Sequence, residues 1–111
     1  MVFRSDNLRL MRDGVLLARM TVTGSDMPSI ICSFEPTNEF EELRYLFEAE
    51  VEVLYSVRVD NDYWKEQDSG IRSLKLRIVN EDTDEDVGFL YLHIRGHESW
   101  YIPRIGGIHE H

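Results

Sequence analysis

The sequence predicts an α+β domain: an antiparallel sheet of about six strands with one long amphipathic helix, and a short second helix, packed on one face. Three observations predict it. Residues 35–54 repeat apolar side chains at helical spacing, with Phe40, Leu43, Phe47, Val51 and Leu54 on one stripe and Leu46 beside it, while Glu41, Glu42, Glu48 and Glu52 point elsewhere. The segments on both sides alternate apolar and polar residues with the two-residue period of a strand. Short turn-forming clusters join the strand-like segments, as an antiparallel meander requires. A strongly curved or barrel-like sheet that partly wraps the long helix is the alternative arrangement.

Residues 8–12 and 15–23 read as a hairpin across Asp13-Gly14, a dipeptide suited to the left-handed conformations of a tight primed turn. In the second strand Leu16, Ala18, Met20 and Val22 form the side expected to face the core. A Gly24-Ser25-Asp26 turn leads to a strand over 29–34, with Ile30, Cys32 and Phe34 on one face. The helix then starts after Pro36. Thr37 and Asn38 are good N-cap residues, and Glu41 stands three residues after Asn38, as in a capping box. A loop is expected around Val57, Val59 and Asp60-Asn61-Asp62. Asp62 would cap a short helix to about Ile71, with Trp64 and Ile71 on one side, unless Ser69-Gly70 ends it early. Residues 73–80 form a strand with Leu74, Leu76 and Ile78 inward. Residues 87–95 form another with Leu90, Leu92 and Ile94 inward, and Trp100, Tyr101 and Ile102 a last one closed by Pro103. Residues 1–105 are thus expected to be one domain, and 106–111 a mobile tail.

A chain of 111 residues buries roughly 65% of its unfolded surface on folding, enough for a core without covalent staples. The lone cysteine excludes an internal disulfide, and its place between Ile31 and Ser33 makes Cys32 a buried small hydrophobe rather than a reactive thiol. No apolar run approaches transmembrane length and residues 1–12 lack the pattern of a secretory signal, so a cytoplasmic protein is expected. Net charge is −9, and it is segregated. Residues 35–68 carry eleven acidic side chains against Arg44, Arg58 and Lys65, and residues 81–86 add five more acids, whereas 69–80 carry three cations and no acid. Such a surface repels nucleic acid and favours encounter with cationic partners.

Motifs for chemistry are sparse. Asp82, Asp84 and Asp86 alternate like the first half of a calcium loop, but Val87 and His93 stand where an EF-hand needs glycine and a bidentate glutamate, so an acidic hairpin tip is expected. His93 and His97 are four apart and His109 and His111 two apart, yet Gly96 breaks the first pair and no cysteine pair or helical histidine motif supports a metal. Cys32 and the serines lack a recognisable elbow or neighbouring base, and no glycine-rich loop leads into a helix. No cofactor and no catalytic residue is expected. Phe89, Tyr91 and His93 form an aromatic row on the outer face of their strand. Lys75 and Arg77, with Arg9 and Arg19, would edge it if those strands are neighbours. That row is either buried by the chain's own second helix or N-terminus, a homodimer interface, or a site for another partner or ligand.

At Phe34-Glu35-Pro36-Thr37 followed by the Phe40 helix, and at Leu92-His93-Ile94-Arg95-Gly96 with Trp100 after it, the chain resembles small acidic bacterial proteins of unassigned function. The resemblance spans nearly the whole chain. It implies a single-domain bacterial cytoplasmic protein and carries no catalytic or binding residue. The function expected is therefore a noncatalytic interaction domain, an adaptor or immunity-type inhibitor that meets a basic partner through Glu41, Glu42 and Glu48 or through the aromatic row. The alternative is a small-molecule-binding or enzymatic α+β domain, with a pocket between helix and sheet near Tyr45, Trp64, Tyr91 and His93.

Overall fold

A computed structural model describes residues 7–55 and 61–104. Among them, eight strands and three helices follow in the order β1 (Asn7–Arg12), β2 (Val15–Asp26), β3 (Ser29–Ser33), β4 (Glu35–Pro36), α1 (Asn38–Glu41), α2 (Arg44–Leu54), α3 (Asn61–Arg72), β5 (Arg77–Asn80), β6 (Asp86–Val87), β7 (Phe89–Arg95) and β8 (Glu98–Pro103). The class is α+β. The strands lie in the order β6-β5-β1-β2-β3-β8-β7, with β4 paired to β2 off that path, and every pairing is antiparallel. β6 and β7 stand at opposite ends of this path, yet only Gly88 separates them in sequence. The sheet must therefore curl until its ends meet, which is the curved arrangement rather than an open sheet.

β2 makes the curl. Its twelve residues serve both halves of the sheet, pairing with β1 as far as Thr21 and with β3 from Val22 to Asp26. Two irregularities bend it. Near the start Leu10 faces Ala18 but Met11 faces Leu16, which makes Leu17 the extra residue. The bulge turns Leu17 into the core, where strict alternation places Leu16. Farther on, Thr23 is the extra residue between Val22 and Gly24. The strand continues through the expected turn at 24–26, and the chain reverses at Met27-Pro28 instead. The Asp13-Gly14 turn has φ of 50° and 79°, the left-handed pair a primed hairpin needs.

The long helix expected over 35–54 starts only at Asn38 and is then split in two. Glu35 and Pro36 pair with Arg19 and Ala18 as β4. Thr37 then engages the carbonyls of the Leu17 bulge: its hydroxyl donates to Leu16 O and Leu17 O at 2.8 and 3.1 Å, and its N–H to Leu17 O at 2.8 Å. It therefore makes no side-chain cap, and helix α1 begins already at Asn38. After four residues the ladder tightens: Leu43 N–H bonds Phe40 O and Leu46 N–H bonds Leu43 O, at 2.7 and 3.0 Å. These three-residue bonds separate α1 from α2. Phe40 and Phe47 both reach the core, with ring centres 5.6 Å apart, and Phe34 meets Phe40 edge-on at 4.8 Å.

The second helix is longer than expected. α3 runs through Ser69-Gly70 to Arg72, and Asn61 and Asp62 belong to it. The expected loop at Val57, Val59 and Asp60 lies outside the described residues, as does the tail 106–111. Residues 73–75 finish the helix, with Lys75 N–H bonding Arg72 O at 3.1 Å and Lys75 at φ 55°. The expected strand over 73–80 therefore shrinks to β5. Ile78 is buried in the core, and Leu74 and Leu76 pack half-buried against it. Phe40→Ala should cost about 3–5 kcal/mol in urea unfolding, because it removes a fully buried ring between two others; a cost under about 1 kcal/mol would mean that these rings do not form the packing centre.

Candidate functional site

The outer face of β7 is where the sequence placed an aromatic row, and the structure roofs it. Leu92 and Ile94 join the core, so His93 points to the opposite face of the strand. There α2 contacts β7, and α3 contacts α2. Glu50, 1% exposed, comes down from α2 between them. One carboxylate oxygen is 2.8 Å from His93 Nδ1, and the other accepts the Trp64 indole N–H at 2.7 Å. An ionised carboxylate only accepts, and an indole only donates, so both oxygens are satisfied when Nδ1 carries its proton. Around this centre Trp64 meets Tyr91 at 5.8 Å, Tyr91 stacks on His93 at 6.4 Å, and His93 meets Trp100 at 5.4 Å. The Arg72 guanidinium lies 5.0 Å over Tyr91, donates to Leu90 O at 2.9 Å and pairs with Asp68 at 2.6 Å. The bond to Asp68 is the main cause that raises the Arg72 pKa further above its ordinary value.

Three of the residues assigned to a helix–sheet pocket, Trp64, Tyr91 and His93, do converge, but Glu50 fills the space. Tyr45 lies apart, 65% exposed. The row itself is broken at its start: Phe89 faces Pro103 and Tyr91 faces Ile102, so Leu90 is an extra residue, and Phe89 packs against the core. Leu90, expected inward, is 41% exposed.

Lys75 and Arg77 do not flank β7 within the sheet, because four strands separate β5 from β7 in the strand order. The curl nevertheless brings them to one cleft with Phe89 and Tyr91. The other cations of that face hold the acidic hairpin tip. Arg9 and Arg19 stand directly opposite each other on β1 and β2, a repulsive pairing, and Glu81 bridges them, 3.6 Å from Arg9 and 2.8 Å from Arg19. Arg9 also pairs with Asp84, and Arg77 with Asp86 at 2.8 Å. Asn80 Oδ1 accepts the N–H groups of Asp82 and Thr83, closing the turn. Of the alternating carboxylates, Asp84 and Asp86 are thus engaged by arginines. Among the described residues no three His, Cys, Asp or Glu side chains are arranged to hold a metal ion.

The acidic helix face divides in two. Glu41 is clamped by Arg44 at 2.7 and 3.1 Å, which lowers its pKa from the ordinary value, and Arg44 also lies over Phe40 and donates to Gly96 O. Glu42 and Glu48 have no ion pair among the described residues. Glu48 shares a stripe of α2 with Tyr45, Glu52 and Tyr55, at spacings of three, four and three residues. All four are exposed.

For nucleophilic chemistry, Cys32 and Ser99 are cross-strand neighbours buried on the core face, the side of the sheet opposite His93. Burial pushes the Cys32 thiol up from 9.0 to about 11. His97 Nδ1 faces Phe34 O at 3.3 Å; His109 and His111 lie outside the described residues. No described helix is long and apolar enough to cross a membrane. No protein-family model, curated protein or solved structure matches the chain.

Glu50→Ala should destabilise by about 3–5 kcal/mol, since it strips His93 and Trp64 of their acceptor. A cycle of Glu50→Gln with His93→Gln should return about 0.5–3 kcal/mol of coupling, and additive effects would show that the pair does not act together. For Cys32 the sign is that of an acid whose folded pKa is raised. Its contribution is complete below pH 9.0 and lost as pH rises towards about 11, where the unfolded thiol ionises before the folded one. Unfolding midpoints should accordingly fall more steeply across that window in wild type than in Cys32→Ala, and equal slopes would show that the thiol is not desolvated.

Proposed function

We propose that the protein is a noncatalytic, cytoplasmic interaction domain of the adaptor or immunity-inhibitor class, in keeping with the small acidic bacterial proteins it resembles, and that it meets a basic protein through the outer face of α2. One observation carries the reading: Tyr45, Glu48, Glu52 and Tyr55 form an exposed stripe in which neither glutamate has an ion pair among the described residues. Tyrosines 65% and 62% exposed offer large, stiff contact areas at low entropic cost, and the glutamates between them select a cationic partner. Glu42 extends the acidic surface, whereas Glu41 belongs to the Arg44 clamp. The same charge opposes a homodimer through this face, because a twofold contact would set glutamates against glutamates. A dimer seam on Tyr91 and His93 is opposed by their cover of Glu50, Trp64 and Arg72.

The test is capture from source lysate, followed by titration with the purified partner. A basic protein should bind, weaken about tenfold or more between low and high salt, and lose affinity to Glu48→Lys with Glu52→Lys and to Tyr45→Ala. Binding indifferent to salt and to these substitutions would remove the proposal.

A further inference from the structure

The curled sheet comes round to a seam it does not close. At Gly88 the chain passes from one end of the strand order to the other, and there Arg104 packs against it: the Arg104 N–H bonds Gly88 O at 2.9 Å, and a Cβ added at Gly88 would stand 3.3 Å from Arg104 Cβ. Beneath the end of α3 the seam opens into a cleft of about 300 Å³. Arg72, Lys75, Arg77 and Arg104 line it against only Asp68 and Asp86, so the cleft is net positive in a chain of charge −9. Arg72 and Arg77 hold the two aspartates. Lys75 and Arg104 have no ion pair among the described residues. Ile71, Leu76, Phe89 and Tyr91 supply apolar wall. Lys75 is also held at φ 55°, an uncommon conformation for a residue with a side chain.

Ion pairs account for Arg72 and Arg77 but not for Lys75 and Arg104 standing beside them. The four cations repel one another, and this acid-rich chain has carboxylates to spare that stand elsewhere. A cleft with cationic groups beside apolar wall matches a ligand with one charged and one apolar end, and its volume is at the lower bound for small-molecule sites. We propose that the seam binds a small organic anion, an apolar or aromatic body bearing a carboxylate or phosphate, with Lys75 and Arg104 meeting the charge and Phe89 and Tyr91 the body.

Benzoate, phenyl phosphate, inorganic phosphate and benzyl alcohol, each titrated to about 10 mM into the full chain and followed by amide NMR, test this. The organic anions should shift the resonances of residues 71–76 and 88–91 saturably, inorganic phosphate should do so more weakly, and benzyl alcohol should not. Lys75→Asn, which tolerates the left-handed backbone, combined with Arg104→Gln should weaken the organic anions about tenfold or more, while Arg95→Gln, outside the cleft, should not. The proposal is overturned if no organic anion shifts these resonances or if benzyl alcohol binds as well as benzoate. Equal affinity for inorganic phosphate would reduce the site to an adventitious ion site and overturn it too. So would unchanged affinity in the double variant, its fold checked by its spectrum.

Discussion

The buried carboxylate of Glu50 is the interaction on which the arrangement of the helices depends. It contributes one oxygen to a strand and the other to a helix, and its own backbone belongs to a third element, so a single side chain ties α2, α3 and β7. Desolvating it is costly, and only the completeness of its bonding makes burial tolerable. A hydrophobic residue of the same size could equal it in stability but would not dictate how α3 lies across α2. An acceptor with two directed donors does dictate it. The result also protects the sheet, because β7 is the last strand in the path and an edge that presents unpaired backbone is a liability unless covered. With one face of α2 turned to β7 and another to α3, the tyrosines and glutamates between are left outward.

The opposite end of the sheet is managed with charge. Glu81, Asp84 and Asp86 fold back onto Arg9, Arg19 and Arg77. The pairs are exposed or half-buried and individually weak, but together they relieve the facing Arg9 and Arg19 and hold the short β6 in place. Fixing β6 fixes Gly88, and Gly88 sets where the two ends of the curled sheet face each other. Arg72 then bridges from α3 to the Leu90 carbonyl, which the bulge in β7 leaves available. The seam is thus held by side chains where backbone pairing stops.

What was legible in the sequence follows the reach of the signal. Asp13-Gly14 specifies its turn through local backbone preference. Ile30, Cys32 and Phe34 face inward because β3 obeys unbroken alternation, and Trp64 and Ile71 share a helical face because only their spacing matters. The failures at Leu16, Leu17, Phe89 and Leu90 sit at bulges, where one inserted residue reverses every inward and outward assignment beyond it. The long helix failed at Leu43, where three-residue bonds divide it, and at its start Thr37 lost its capping role because its hydroxyl found sheet carbonyls twenty or more residues away in sequence, a competition no local pattern records. Glu50 was passed over because an acid among five others reads as surface. Its position three residues after Phe47 and four before Leu54 was the available clue, since that spacing puts it on the apolar stripe.

Charge segregation was legible as a count, but its use depends on which acids already have partners. The tip at 81–86 looked like the denser acidic site, yet Glu81, Asp84 and Asp86 there are paired, whereas Glu48 and Glu52 have no ion pair among the described residues, Arg44 turning its hydrogen bonds to Glu41 and Gly96. The cations divide in the same way, with Arg9 and Arg19 engaged and Lys75 and Arg104 without an ion pair among the described residues. A protein this acidic therefore carries residual charge of both signs: a negative stripe on an exposed helix face with tyrosines at its ends, and a positive cleft in the seam with apolar walls. An exposed negative stripe suits a basic surface; a concave positive cleft suits a small anion. Because the two lie on different elements, a ligand in the seam need not compete with a protein on α2.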